Sequence, residues 1–204
     1  SSPFYGKQVL INAGPTHEHI DPVRYLGNNS SGRMGAALAK SAYSMGAKVT
    51  LILGPTQADL DIEHIETIHV ISAKDMLEAT LSKFSDAHLT ICTAAVSDFR
   101  PLTVDINKIK KVGKGSTMTI ELEHTPDILA SLGTLKKEGQ YLIGFALETE
   151  NGPSYAKDKL VRKSADAIVL NVLGKQGVGF ESTTNEVQVY FAGGHEIFYP
   201  IQSK

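Results

Sequence analysis

Short runs of aliphatic and β-branched residues alternate along the chain with segments whose apolar positions recur every three or four residues. QVLINAG (8–14), KVTLILG (48–54) and IETIHVIS (65–72) read as strands. AHLTICTAAV (87–96) is almost continuously apolar, as a strand covered on both faces should be. YLIGFALET (141–149) and AIVLN (167–171) follow the same pattern, and MTIELEH (118–124) alternates. Between them, 31–47 reads as a helix with Met34, Leu38 and Met45 near one face and Gly46 at its stop. Helices are also predicted over 73–85, over 126–137 with Pro126 in the first turn, and over 154–166. The tail, 185–201, is two alternating segments around Gly193-Gly194, a hairpin pattern. Residues 97–116 have no strong period.

Strands alternating with helices imply a doubly wound, Rossmann-like α/β fold: a mainly parallel sheet with helices on both faces, closed by a C-terminal hairpin. We read 1–204 as one domain without repeats or an obvious linker. Ligands of such folds sit at the carboxyl ends of the strands. The segments leaving those ends are 12–30, 93–116, 124–127, 145–158 and 171–184, so chemistry is expected there.

Composition narrows the picture. Hydrophobic residues make up 42 % of the 204, enough for a full core, and no apolar run approaches the roughly 18 residues of a membrane span. A formal net charge of −2 gives no basic field for nucleic acid or an acidic membrane. The single cysteine, Cys92, lies in an apolar run, which excludes an internal disulfide and suggests a reducing, cytoplasmic setting. The start at Ser1, without methionine or signal pattern, leads us to expect a processed chain or an excised domain.

The first strand is followed by GPTHEHIDPVRYLGNNSSGRMG rather than the G-x-G-x-x-G of a dinucleotide fold. Ser30 or Ser31 fits an N-cap, but Asn28, Asn29, Ser30 and Ser31 offer more donors than one cap uses, and Arg24 and Arg33 flank them. That surplus favours an anion or a polar reaction intermediate. His17-Glu18-His19 is a poor metal pattern and reads as solvated loop. Ala94 and Ala95 would let a flat ring approach the backbone, with Asp98 at the same strand end, although small residues there also serve packing. Lys108, Lys110, Lys111 and Lys114 form either a solvated basic loop or a mobile flap, about 107–116, that clamps polyphosphate. Lys159 and Lys163 lie one helical turn apart, with Asp158 and Arg162 on a neighbouring face; Glu148, Asn151 and Asn171 also stand at strand ends.

Together, AGPTHEHIDPVRYLGNNSSGRMG, AAVSDFRP, KIKK, TPDIL, GFALET and ADAIVLN resemble, in order and over nearly the whole chain, the phosphopantothenoylcysteine synthetase family, closest to the synthetase half of the bacterial bifunctional decarboxylase–synthetase. The resemblance implies a two-step ligation in coenzyme A biosynthesis. CTP and 4′-phosphopantothenate give an acyl-cytidylate and pyrophosphate; the amine of L-cysteine then displaces CMP. Mg²⁺ accompanies CTP, no flavin is expected in this half, and a homodimer fused to a flavin-dependent decarboxylase is implied. By the same resemblance Lys108 holds the CTP phosphates and 110–116 is the flap, with Lys110 and Lys111 near the acyl intermediate. Asn28 and Arg24 bind that intermediate. Backbone around Cys92, Thr93 and Ala94 reads cytosine, and Asp98 meets the nucleoside. Pro126, Asp127, Ile128 and Leu129 form a nucleotide-contacting turn, Phe145 lines the pocket, and Lys159 and Lys163 complete the phosphate site.

These roles suit chemistry in which both nucleophiles are substrates, so the chain need supply only cations and hydrogen-bond donors. Cys92, in an apolar strand, is not expected to be catalytic. Asn29 and Arg33 stand where some relatives have histidine and lysine, with donor capacity kept. Two other readings are an NAD(P)-dependent oxidoreductase, disfavoured by the missing glycine fingerprint, and a nucleotide-sensing domain that binds CTP without turnover. The tail hairpin (about 185–201) or the 117–124 strand would extend a sheet across a two-fold axis.

Overall fold

The computed structural model describes residues 2–111, 113, 115, 117–148, 151–172 and 184–203. The strands are β1 (Gln8–Ala13), β2 (His17–His19), β3 (Tyr25–Gly27), β4 (Lys48–Leu53), β5 (Glu66–His69), β6 (Leu89–Cys92), β7 (Phe99–Pro101), β8 (Leu122–His124), β9 (Tyr141–Glu148), β10 (Ala167–Val172), β11 (Thr184–Phe191) and β12 (Glu196–Ser203). The helices are α1 (Arg33–Ser44), α2 (Ala73–Phe84), α3 (Ile128–Leu135) and α4 (Gly152–Arg162).

Eight strands form one sheet in the order β12-β11-β10-β9-β6-β1-β4-β5. The six from β10 to β5 are parallel, and β11 and β12 add an antiparallel edge. The expected α/β architecture and its C-terminal hairpin are therefore present. β1 is central, and five of its six residues are buried because both faces of the sheet are covered there. The chain runs β1–β4–β5 to one side and then returns to lay β6 on the other side of β1, which makes the β1/β6 boundary a topological switch point.

α2, α3 and α4 pack on one face, with Met76, Phe84, Leu132 and Leu160 against Leu10, Ile52, Leu142, Ile168 and Leu170. α1 packs on the other, against Val9, Ile11, Ala13 and Leu51. Its buried face differs from the expected one: Gly35, Ala36, Ala39 and Ala42 are buried, whereas Met34, Leu38 and Met45 are half-buried at its flanks. The reason is close approach. A Cβ on Gly35 would lie 2.3 Å from Ala13 Cβ, so the helix meets the strand through residues with little or no side chain. The expected stop holds: Gly46 takes φ 88°, and its N–H and that of Ala47 close onto Tyr43 and Ala42 carbonyls, a Schellman end.

Other boundaries need correction. The 118–124 strand shrinks to β8, which pairs antiparallel with β7 in a ribbon outside the main sheet. Pro126 precedes rather than enters α3, whose cap is Asp127. His17-Glu18-His19 is not solvated loop but strand β2, paired with β3. His17 stacks on Tyr25 with ring centroids 3.6 Å apart, while Glu18 faces inward and is buried.

Candidate active site

A cavity of about 1080 Å³ opens at the switch point, over the carboxyl ends of β1, β6, β9 and β10. Its floor begins with Asn12, the penultimate residue of β1. Asn12 is 1 % exposed, and it stitches β1 to the turn leaving β6. Its carbonyl accepts from Thr93 N (3.0 Å) and Thr93 Oγ1 (2.8 Å), and its side-chain Oδ1 accepts from Ala94 N (3.2 Å). Ala95 N donates to Gly14 O at 2.9 Å. The backbone N–H groups of Thr93, Ala94 and Ala95 are thus engaged by the β1 end.

Cys92 lies beside them and accepts from Asn12 Nδ2 at 3.4 Å. Burial pushes its thiol up to about 12, against the smaller opposing effect of that hydrogen bond. Such a thiol stays protonated at neutral pH and is a poor nucleophile.

The second wall is the start of α1. Its N-cap is neither Ser30 nor Ser31 but Gly32, in the left-handed region with φ 73°, and no side chain caps the helix. Gly32 N reaches back to Ser30 Oγ at 3.4 Å. Among the described residues no side-chain cap and no first-turn carboxylate neutralises the partial positive charge of this helix start, which faces the cavity. Asn28, Asn29, Ser30, Ser31 and Arg33 line the same wall. Asn28 is fixed across the opening, its Nδ2 donating to Val96 O at 2.9 Å. The preceding loop is sewn to the β6 exit by the Pro15–Ala95 bridge and by Ser97 N donating to Thr16 Oγ1 at 3.0 Å.

The third wall carries cations. Lys159, from α4, donates to Phe145 O at 2.8 Å. Lys163, the residue that ends α4, pairs with Asp127, whose other oxygen accepts from Ala130 N at 2.9 Å and caps α3. Burial raises the Asp127 carboxyl, but the Lys163 and Ala130 hydrogen bonds and the two lysine charges outweigh that and hold it below the usual range. Phe145, Pro126, Ile128 and Leu129 complete the apolar lining. Asn171, also lining, has its side-chain oxygen buried without a hydrogen-bond partner.

Of the residues singled out from sequence, Asn28, Cys92, Thr93, Ala94, Asp98, Pro126, Asp127, Ile128, Leu129, Phe145, Lys159 and Lys163 converge on this cavity. Arg24, Lys108, Lys110 and Lys111 are not among its lining residues. The three lysines are exposed, and Arg24 pairs with Asp21. Lys114 lies outside the described residues. Sequence reasoning missed Asn12, Phe99 and His124. The last two form an aromatic lip, ring centroids 4.6 Å apart, on the β7–β8 ribbon.

The profile of the DNA/pantothenate metabolism flavoprotein C-terminal domain matches residues 4–204. The chain belongs to this family. It is 49 % identical over 204 residues to the coenzyme A biosynthesis bifunctional protein CoaBC of Bacillus subtilis, covering all of this chain and 50 % of that protein. It is 50 % identical over 187 residues, 92 % of this chain and 52 % of the relative, to a cysteine/cysteine sulfinic acid decarboxylase from an unknown prokaryote. The chain thus spans about half the length of the relatives it matches. Among solved structures, a crystal structure of the C-terminal domain of CoaBC superposes with a TM-score of 0.81 at 43 % identity, covering 98 % of this chain and 89 % of that one. The family's C-terminal domain is therefore the unit whose fold and cavity are described above.

Proposed function

We propose that this domain is a phosphopantothenate–cysteine ligase of coenzyme A biosynthesis. It activates 4′-phosphopantothenate with CTP to an acyl-cytidylate and joins the acyl group to the amine of L-cysteine, releasing pyrophosphate and CMP. The observation that carries this reading is the convergence of an uncapped helix start, two lysines, a carbonyl-rich turn and Asn28 on one cavity at the switch point. Membership of the pantothenate-metabolism family and identity to CoaBC relatives support it.

The arrangement suits displacement at phosphorus followed by acyl transfer. The base would lie against Phe145 and the Cys92–Ala94 turn, whose carbonyls favour an exocyclic amine. The phosphates would lie between the α1 start and the Lys159–Lys163 wall, where fixed positive charge stabilises developing negative charge. Asn28 would donate to the acyl-cytidylate, with Asp98 beside the nucleoside. Lys108, with Lys110 and Lys111, would be carried on the basic segment that closes over the reacting carboxylate. Mg²⁺ would ride on the triphosphate and neutralise its charge. The cavity fits that mode: Asp127 is committed to Lys163 and the α3 cap, leaving Asp98 as the lining carboxylate without a described partner.

A homodimer fused to a flavin-dependent decarboxylase half completes the reading. On the face of β9–β12 away from α4, Leu147, Asn171, Val187 and Tyr199 align across the strands, as do Phe145, Val169, Val189 and Ile197. Leu147, Ile197 and Tyr199 are exposed there, a surface that suits a second copy.

The test is initial-rate pyrophosphate release with phosphopantothenate and either CTP or ATP, with and without cysteine. CTP should support turnover well above ATP, and Lys108→Gln should slow it by about 10²–10³-fold, the scale of one lost preorganised contact. NAD reduction without pyrophosphate, or CTP binding without turnover, would overturn the assignment.

A further inference from the structure

The Asp21 side chain is completely buried, and it pairs with the Arg24 guanidinium. It opens the sequence Asp-Pro-Val-Arg, in which Pro22 sets the backbone for an Asx turn. One carboxylate oxygen accepts from Val23 N and Arg24 N, both at 2.8 Å. The other accepts from the Arg24 guanidinium and, from 88 residues away, from Ile109 N at 3.1 Å. The Arg24 guanidinium in turn donates to Ile109 O, at 3.3 and 3.4 Å. Asp105 N donates to Ile20 O at 3.0 Å, so the approach to Ile109 is tied to the same loop. Burial alone would raise the Asp21 carboxyl, but the N–H groups of Val23, Ile109 and Arg24 and the Arg24 charge outweigh it and bring it down to about 2.

The gripped residue is flanked by exposed Lys108 and Lys110. Both peptide groups that join Ile109 to these lysines are held, one through its N–H and the other through its carbonyl. We infer that Asp21 and Arg24 form a positioning pair that fixes the root of Lys108, so that this lysine reaches the reacting phosphates from one set point. The inference rests on the ligase reading for what Lys108 does, but not for where it is held. It also gives Arg24 a role in the folded chain separate from contact with the acyl intermediate. Charge-assisted hydrogen bonds of this kind are roughly twice as strong as neutral ones, which suits them to hold a segment that is otherwise solvent-exposed.

The experiment pairs amide hydrogen exchange at Ile109 with a double-mutant cycle on pyrophosphate release. Asp21→Asn should speed Ile109 exchange by about 10-fold or more, because its N–H loses a charged acceptor. Lys108→Gln should leave that exchange unchanged. Asp21→Asn should slow pyrophosphate release about 10–100-fold through kcat, yet add little to the loss in a Lys108→Gln background, because both act through one group. If Asp21→Asn does not fold, Arg24→Gln, which leaves the turn inside the loop intact, carries the same cycle. Unchanged Ile109 exchange, or losses that multiply with Lys108→Gln, would overturn the inference. Should the unsubstituted protein release no pyrophosphate from any nucleotide, the ligase reading and the catalytic half fall together, while Ile109 exchange still decides whether the pair anchors the segment.

Discussion

α1 and α2 both begin at the carboxyl edge of the same sheet, and they begin in opposite ways. α2 has a complete capping box: Ser72 Oγ accepts from Asp75 N at 3.1 Å, and Asp75 Oδ2 accepts from Ser72 N at 2.9 Å. A third group, buried Glu18, reaches over from β2 and accepts from Ala73 N at 2.8 Å. α1 has a left-handed glycine and no side-chain cap. The first start is closed by the protein's own acceptors; the second leaves its positive end to the cavity. An uncapped helix start in a cavity wall is suited to meet an anionic ligand, and a fully capped one serves stability.

The largest test of this contrast is Gly32→Asp. It puts a carboxylate at the α1 start, where substrate phosphate is proposed to lie. Pyrophosphate release should fall by about 100-fold or more, while stability changes by only about 1–2 kcal/mol from the strained φ. Equal activity would mean that phosphate does not use this helix start.

Gly35→Ala should act next most strongly, and on stability. Its methyl would meet Ala13 Cβ and Thr93 Oγ1, at 2.3 and 2.6 Å, forcing α1 off the sheet for about 1–3 kcal/mol. Thermal unfolding measures this, and CTP affinity should weaken with it. Ser72→Ala at the other helix should cost about 1 kcal/mol and leave the rate of pyrophosphate release unchanged.

The smallest effect is on pH dependence. The backbone N–H of Ser72 is the largest influence on the Asp75 carboxyl; with the Ser72 hydroxyl and nearby charge it outweighs burial and holds the group below its ordinary value. A carboxyl depressed by folding adds stability above its unfolded pKa, and that stability is lost as pH falls through the folded one. The Tm advantage of the unsubstituted protein over Asp75→Asn should therefore shrink below about pH 4.

The sheet and its helices were legible because period 2 and period 3.6 leave distinct marks, and because strands buried on both faces read as continuous apolar runs. Most of the cavity was legible too, since its residues stand at strand ends. What escaped has a common cause. The α1 core face consists of Gly35 and alanines, which carry little hydrophobic signal beside Met34 and Leu38. Glu18 and Asp21 act on residues 55 and 88 positions away, so nothing in their neighbourhood marks them as buried acceptors. Asn12 looked like one polar residue in an apolar strand, but its amide fixes the Cys92–Ala94 turn. β7 and β8, three residues each, are too short to show a period, so the Phe99–His124 lip was invisible.

In the proposed ligation one cavity serves two successive steps, with Asn28 acting after the mixed anhydride forms. Single-turnover mixing of CTP and phosphopantothenate, first without cysteine and then with it, tests this in the unsubstituted protein and in Asn28→Asp. The predicted result is a pyrophosphate burst in both, followed by rapid loss of acyl-cytidylate on adding cysteine in the unsubstituted protein and its accumulation in Asn28→Asp. Absence of the burst, or an Asn28→Asp variant that consumes acyl-cytidylate with cysteine at the unsubstituted rate, would contradict it.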